Sequence, residues 1–392
     1  MKKILATVRD VGAAHQMVML VRHLRSESDL NVVLFASEPA RQTLELYNEE
    51  YTLFEPVLPY QASLFDADLK ALKAGAQRLL QSEHPDMVLC GLSNYALGID
   101  DAVVQAARIV PWHCPSALLL EDKGPIQSID GSQPDHILAT SEAIAIWSEK
   151  NSSSKVHRIG SPKHDALMRL PVDRIRQDER AKRGLDGSNC LAVFVAQASF
   201  PLGHDENFAA FISVLSETDG NGARHSLVLR GHPGFPETSN KYLALAQSAE
   251  LNITQDPGGD IVPLLCAADM IVTCTSTVIE DYTWMARGGG TLYAAMAHLL
   301  IGDRFRSLLE REFGDWRPAA VQQGLAQAIV SREQLAAFLQ VELNPHKRKS
   351  SPTPAIASEI DDPRAVSMAA LRSILAESTT GPEAHKAAAG RK

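Results

Sequence analysis

Nowhere in the chain do about 18 apolar residues run on without interruption, the length a helix needs to span a bilayer. A membrane-spanning class is therefore not expected. The opening MKKILATVRD carries two lysines, but its apolar run ILATV is too short for a secretory h-region and Arg9-Asp10 ends it. No export segment is expected either. Positive charge is also scarce: 38 Lys and Arg face 47 Asp and Glu, for a net charge of −9. A protein that grips a duplex needs a basic face to displace counterions, so small molecules are the expected partners and nucleic acid is not. The five cysteines (Cys90, Cys114, Cys190, Cys266, Cys274) form no CxxC pair, and no His cluster stands at ligand spacing. That argues against a disulfide framework and a zinc site, and for reduced thiols in a cytosolic protein. No internal repeat of fixed period is visible.

What is present is a long, core-forming sequence. At 392 residues with 45% apolar composition, two domains of roughly 150 to 200 residues are the expectation. Short runs rich in Val, Ile and Leu at 3–8, 32–36, 86–90, 116–120 and 135–139 have the character of buried strands. Between them Met17, Val18, Leu20, Val21 and Leu24 mark one apolar helix face, and Leu69, Leu72, Leu79 and Leu80 mark another within 64–82. The alternation implies a parallel sheet covered by helices. After a polar, charge-rich bridge at 172–189 it restarts, with strands expected at 190–195, 226–229, 269–273 and 291–294. The fold class that follows is α/β, two doubly wound, Rossmann-like domains facing across a cleft, over 1–165 and 166–345. Residues 346–392 are expected to be a Pro/Ser-rich linker, a last amphipathic helix near 362–377 that crosses back to the first domain, and a disordered tail.

In an open parallel sheet the carboxyl ends of the strands form the binding rim, and the helix N-termini there favour anions. Four loops stand out by polar and glycine content. TVRDVGAAHQ (7–16) puts Arg9, Asp10 and His15 beside Gly12, but lacks the full GxGxxG spacing of a dinucleotide site. An ordinary turn with a solvated Asp is the plainer alternative. RIGSPKHDAL (158–167) has the punctuation of an interdomain crossover, with Asp165 as a helix cap. LRGHPGF (229–235) presents Arg230 and His232 on a stiff loop suited to a diphosphate, with a surface turn as the alternative. Finally, CTSTVIED delivers Thr275, Ser276 and Thr277 to the start of a helix, with Glu280 one turn on to accept hydrogen bonds from a ribose diol. Capping alone would not need three hydroxyls. Gly288-Gly289-Gly290 then ends that helix and allows close approach of backbone and ligand. Trp112, Trp147 and Trp284 are expected to pack in or beside the core, and Trp112 also opens a loop expected on the cleft side.

The order IGSPKHDAL, VFVAQAS, LVLRGHPG and DIVPLLCAADMIVTCTSTVIED resembles the C-terminal half of GT-B glycosyltransferases, nearest to the group of UDP-N-acetylglucosamine 2-epimerases and capsule-type or CDP-glycerol transferases. The resemblance covers roughly 1–345 and is most specific over 159–293. It implies that Ser276, Thr277 and Glu280, with Asp281 as the register alternative, bind the nucleotide sugar's phosphates and ribose. His232 and Arg230 would then sit at the diphosphate, Thr275 beside it, and Gln197 along the cleft. It further implies that His15 is the general base toward an acceptor hydroxyl, with Asp10 as its rival and Gly12 and Trp112 on the acceptor side. Thr277-Val278 stands where the epimerase signature has Gly-Gly, and the acidic N-terminal motifs of the epimerases have no counterpart placed here, which ranks a metal-independent glycosyltransferase ahead of an epimerase or hydrolase; the basic residues of 174–183 are balanced by Asp173, Asp178 and Glu179, which ranks it ahead of a membrane-docked CDP-glycerol-type enzyme. Over 166–345 no DxD motif is available as a metal clamp. The implied protein takes a nucleotide sugar and an acceptor as substrates, needs no cofactor or metal, is a monomer or homodimer, and is cytoplasmic or peripheral to the inner membrane.

Overall fold

The computed structural model describes residues 1–58, 64–93, 97–123, 126–186, 189–197, 203–219, 225–232, 235–287, 291–344 and 362–377. Its contacts divide the chain into two units, Met1–Ala166 with Ser358–Lys392, and Leu167–Ala357. In chain order unit 1 contains β1 (Lys2–Val8), α1 (Val11–Arg25), β2 (Leu30–Ala36), α2 (Ala40–Leu46), β3 (Thr52–Leu53), α3 (Asp66–Glu83), β4 (Met87–Cys90), α4 (Ile99–Ala107), β5 (Ser116–Leu120), β6 (His136–Ala139), α5 (Glu142–Asn151) and β7 (Lys155–Arg158). Helix α6 (Pro162–Leu167) ends at the boundary. Unit 2 continues with α7 (Val172–Lys182), β8 (Cys190–Val195), α8 (His204–Asp219), β9 (His225–Arg230), α9 (Pro236–Ser248), β10 (Ile253–Gln255), α10 (Val262–Ala267), β11 (Met270–Thr273), α11 (Val278–Arg287), β12 (Ala295–Leu299), α12 (Asp303–Phe313), α13 (Ala319–Gln322), β13 (Gln327–Ile329) and α14 (Arg332–Glu342). Helix α15 (Pro363–Glu377) belongs to unit 1.

Both sheets are parallel and share one strand logic. Unit 1 is ordered β3-β2-β1-β4-β5-β6-β7 and unit 2 β10-β9-β8-β11-β12-β13. Each is the doubly wound order in which strand sequence reverses beside the first strand, so the β1/β4 and β8/β11 pairs flank the crevice where such sheets bind ligands. The central strands MVLC, SALLL, CLAVFV and MIVT are buried along their whole length, as strands covered by helices on both faces must be. Each face has its own core. In unit 1, Met17, Leu20 and Leu24 of α1 pack with Leu371 and Ile374 of α15 on one face, and Leu72, Leu80 and Val103 of α3 and α4 on the other. The return helix is further held by Arg372 to Asp29 and Glu27 and by Glu377 to Lys155 and His136.

Several details differ from the sequence expectations. The strand expected at 291–294 lies at Ala295–Leu299, because the Tyr282 hydroxyl accepts the amides of Tyr293 and Ala294 (2.9 and 3.0 Å) and withholds them from the ladder. Strands β3, β7, β10 and β13 were not expected; they are two to four residues long and largely exposed, and carry no buried-run signal. The polar bridge at 172–189 is, over Val172–Lys182, a helix of unit 2. Its arginines explain the charge. Arg176 Nη1 donates to the carbonyls of Cys266, Ala267 and Ala268 at the end of α10, while Arg176 and Arg180 hold the two oxygens of Asp269 at 2.5 and 2.8 Å. Burial works against the Asp269 charge, yet the Leu191 amide and the two guanidiniums hold its pKa below the usual carboxylate range. The expected linker at 346–361 and the tail beyond 377 lie outside the described residues.

Candidate functional site

In unit 2 the loops after β8 and β11 meet at the reversal of strand order. Parallel pairing sets Thr273 beside Val195, so both strands end level. Thr273 Oγ1 donates to the Val195 carbonyl at 2.9 Å, and two residues farther along each loop a side-chain amide crosses the gap. Gln197 Oε1 accepts the Thr275 N–H and Gln197 Nε2 donates to Thr275 Oγ1, each at 2.6 Å. Expected to line a ligand cleft, Gln197 instead brackets the loop, and Thr275 spends both polar groups on it. The next two residues open α11: Ser276 Oγ accepts the Val278 N–H at 3.3 Å and Thr277 is exposed. Capping thus uses one hydroxyl of the turn.

The remaining unit 2 candidates are placed differently. Glu280 is half-buried and its Oε1 accepts the Ala320 N–H at the start of α13 at 3.1 Å, while Asp281 is half-buried on the same helical turn. Arg230, expected at a diphosphate, is turned into its own unit: Nη1 meets Asp256 Oδ2 and Nη2 donates to the Gly259 carbonyl, both at 2.5 Å. Its charge is already offset by Asp256, which also meets Arg183. His232 is half-buried with its ring 5.3 Å from that of Phe235, and burial lowers its pKa more than nearby Glu237 raises it. A neutral imidazole, not a cation, stands on that loop. Pro233, Gly234 and Gly288 to Gly290 lie outside the described residues.

Unit 1 repeats the topology with carboxylates. Asp100, at the start of α4, accepts from Thr7 Oγ1 (2.6 Å), the Gly91 amide (3.1 Å) and Ser93 Oγ (3.0 Å), so it ties the ends of β1 and β4 together. Desolvation raises its pKa to about 6 against those hydrogen bonds, with Asp10 adding to the rise. Asp101 accepts the Gly98 amide at 2.8 Å, and desolvation with the neighbouring Asp100 raises it to about 8, against the opposing pull of Arg9. Arg9 is buried and donates to the Leu97 carbonyl at 2.9 Å. Asp10 is the N-cap residue of α1, only 9% exposed, and makes no side-chain capping bond. At Gly12 a Cβ would come within 2.4 Å of Glu121 Oε1, so the glycine makes room for a carboxylate delivered by the end of β5 to the positive end of α1. Close approach there is to the protein's own side chain.

His15 Nδ1 lies 3.0 Å from the Tyr47 hydroxyl at the end of α2, with the rings edge to face. Trp112 corrects the expectation most plainly. It precedes β5, and a residue before a parallel strand lies at the sheet's amino edge; its indole donates to the Pro85 carbonyl (3.2 Å) and stacks on His84 at 4.0 Å. It is remote from the carboxyl-end rim. Sequence reasoning missed Glu121, Asp100 and Asp101. Glu121 could have been found as the first polar residue after SALLL, whereas the aspartates come from a helix start that only the crossover brings back to β1. Among the described residues no group of three His, Cys, Asp or Glu is arranged to hold a metal, and no helix is long and apolar enough to cross a membrane.

No protein-family model and no curated protein sequence matches the chain. Solved structures do. UDP-GlcNAc 2-epimerase from Neisseria meningitidis bound to UDP-GlcNAc is similar at TM-score 0.65 and 15% identity, covering 95% of this chain and 100% of that one. The Methanocaldococcus jannaschii UDP-GlcNAc 2-epimerase in complex with UDP-GlcNAc and UDP gives 0.65 and 13%, over 95% and 99%. A glycosyltransferase from Rickettsia africae gives 0.54 and 10%, over 96% of each chain. With two doubly wound parallel sheets along nearly the whole length of these structures, the chain has the GT-B fold.

Proposed function

We propose that the protein is an enzyme acting on a nucleotide-activated sugar, with the nucleotide bound by unit 2 and acid–base groups supplied by unit 1. The observation that carries this reading is the turn 275–277, where successive hydroxyl residues open a ten-residue helix beside the reversal of strand order. Amides and hydroxyls in that position suit phosphate oxygens, and Glu280 or Asp281 suits a ribose diol. His232, neutral, would serve the diphosphate as a hydrogen-bonding group; Arg230 keeps its partner. Similar folds that hold UDP-GlcNAc in solved structures support a UDP-sugar as the first substrate to try.

The carboxylates of unit 1 favour rearrangement or hydrolysis of the sugar itself over transfer. Moving a proton off and onto a sugar carbon, or activating water, calls for positioned carboxyl groups. Asp10 and Glu121 lie at the rim for that task, and Asp100 with Asp101 hold the loops beneath them. Transfer to an acceptor hydroxyl is the second reading and rests on His15, whose ring Tyr47 orients; His15 or Asp10 would then be the base. Incubation with UDP-GlcNAc followed by proton and phosphorus NMR separates the readings. Conversion without acceptor supports the first, conversion only with added glycan acceptor supports the second, and absence of binding by any nucleoside diphosphate or nucleotide sugar rejects both.

A further inference from the structure

The peptide unit joining Cys274 to Thr275 is the first beyond β11, and it is gripped from both sides. Its N–H is taken by Gln197 Oε1 at 2.6 Å, from the segment after β8. Its carbonyl is taken by His298 Nδ1 at 2.8 Å, from β12. A carbonyl only accepts, so Nδ1 must carry the proton and the tautomer is fixed. We propose that His298 and Gln197 are paired positioning residues that set the orientation of this peptide, and through it the phosphate-binding turn formed by Ser276 and Thr277. The inference rests on the nucleotide-binding reading of that turn.

Three features favour this role over plain packing. His298 is fully buried, and Met296, Ala297 and Leu299 around it on β12 are apolar, so an aliphatic side chain would fill the position. Its Nε2 is buried with no hydrogen-bond partner among the described residues, which costs stability that an aliphatic residue would not. A residue that lowers stability where a simpler one would serve points to a demand from function. Burial also lowers its pKa to about 4, so the imidazole is neutral across ordinary pH and the grip does not vary there. Because Gln197 takes the Thr275 amide and donates to its hydroxyl oxygen, the turn meets a ligand chiefly through Ser276 and Thr277. A peptide free to flip would cost order at each binding event, and fixing it beforehand removes that cost.

The test compares UDP binding by calorimetry with thermal midpoints for wild type, His298→Leu, His298→Asn, Gln197→Met and the double variant His298→Leu/Gln197→Met, the other nucleoside diphosphates being run beside UDP. Asparagine keeps a donor near the Nδ1 position; leucine does not. Expected is a weakening of UDP binding of about tenfold in His298→Leu and in Gln197→Met, a fall of less than about threefold in His298→Asn, and a double variant weaker by less than the product of the singles. His298→Leu relieves the unpaired Nε2 but leaves the Cys274 carbonyl without its donor, so the discriminating result is a loss of binding in His298→Leu that His298→Asn does not share at a similar thermal midpoint, which a merely structural role would not give. Wild-type binding with His298→Leu within about twofold of it, or equal loss in the Leu and Asn variants, overturns the proposal alone. No nucleotide bound by wild type overturns the underlying reading and this inference with it. If His298→Leu does not fold, Gln197→Met against His298→Asn decides the matter in the same way.

Discussion

The β1/β4 reversal in unit 1 and the β8/β11 reversal in unit 2 are the same place in the same topology, yet they are built from opposite chemistry. In unit 2 the loops are joined by a neutral amide, Gln197, and a turn of hydroxyls. In unit 1 they are joined by a buried carboxyl, Asp100, with Asp101, Asp10 and Glu121 close at hand. Neutral donors at a helix N-terminus welcome an anion, whereas a rim of carboxylates repels one and handles protons. The fold provides the crevice, and the residues at the strand ends decide what each crevice is for.

Buried carboxyls sharpen the contrast, since the two units hold theirs in opposite states. Asp269 of unit 2 is held below the usual range by two arginines and an amide, and removing one partner of such a pair is costly. Asp269→Ala should lower unfolding free energy by about 3–5 kcal/mol in urea, with hydrogen exchange rising first at α7 and the end of α10. A smaller loss would mean that the arginines find water instead. Asp101 of unit 1 is the reverse case. Its folded pKa, about 8, lies above the unfolded value, so the folded state binds the extra proton between roughly pH 4 and 8 and stability falls as pH rises through that window. Asp101→Asn, which keeps an acceptor for the Gly98 amide, should raise the thermal midpoint by several degrees at pH 8 and change it little at pH 4. A uniform shift at both values would show that Asp101 is ionised throughout.

Activity offers the next tests, again set one unit against the other. Glu121→Gln should reduce turnover of a nucleotide sugar by about a hundredfold or more while leaving UDP affinity unchanged, as expected for an acid–base group. Ser276→Ala should do the opposite, weakening UDP binding by about fivefold to tenfold with a smaller effect on turnover once the enzyme is saturated. If both variants change affinity and turnover alike, the division of labour between the units fails. Trp112→Phe gives the smallest effect. It loses the bond to the Pro85 carbonyl, worth about 1 kcal/mol of stability, and should leave kcat and KM unchanged.

Much of the scaffold was legible because it depends on local pattern. MVLC, SALLL and CLAVFV announce buried parallel strands, and the spacing of Met17, Leu20 and Leu24 announces the helix that covers one face. The edge strands β3 and β10 were not legible, since two or three exposed residues carry no pattern. At the candidate site the turn 275–277 was visible as three hydroxyls after a strand. The charge on Arg230 looked available because Asp256, which offsets it, stands 26 residues away in sequence. Trp112 looked like a rim residue because a loop's position along the chain does not say at which end of the sheet it emerges.

The sequence by itself determined the α/β class, the doubly wound alternation, the break in pattern after residue 160 and the loops that end on polar residues, because periodicity and turn chemistry act between near neighbours. Only the tertiary structure decided which polar groups have partners. It spent Gln197 on Thr275 and Arg230 on Asp256, set Glu121 against Gly12, brought Asp100 under the ends of β1 and β4, and put His298 beneath the Cys274 carbonyl. Apart from the short link of Asp100 to the end of β4, those pairings join residues from about 20 to more than 100 positions apart, and a parallel sheet with its crossovers brings them together only once the whole unit is folded.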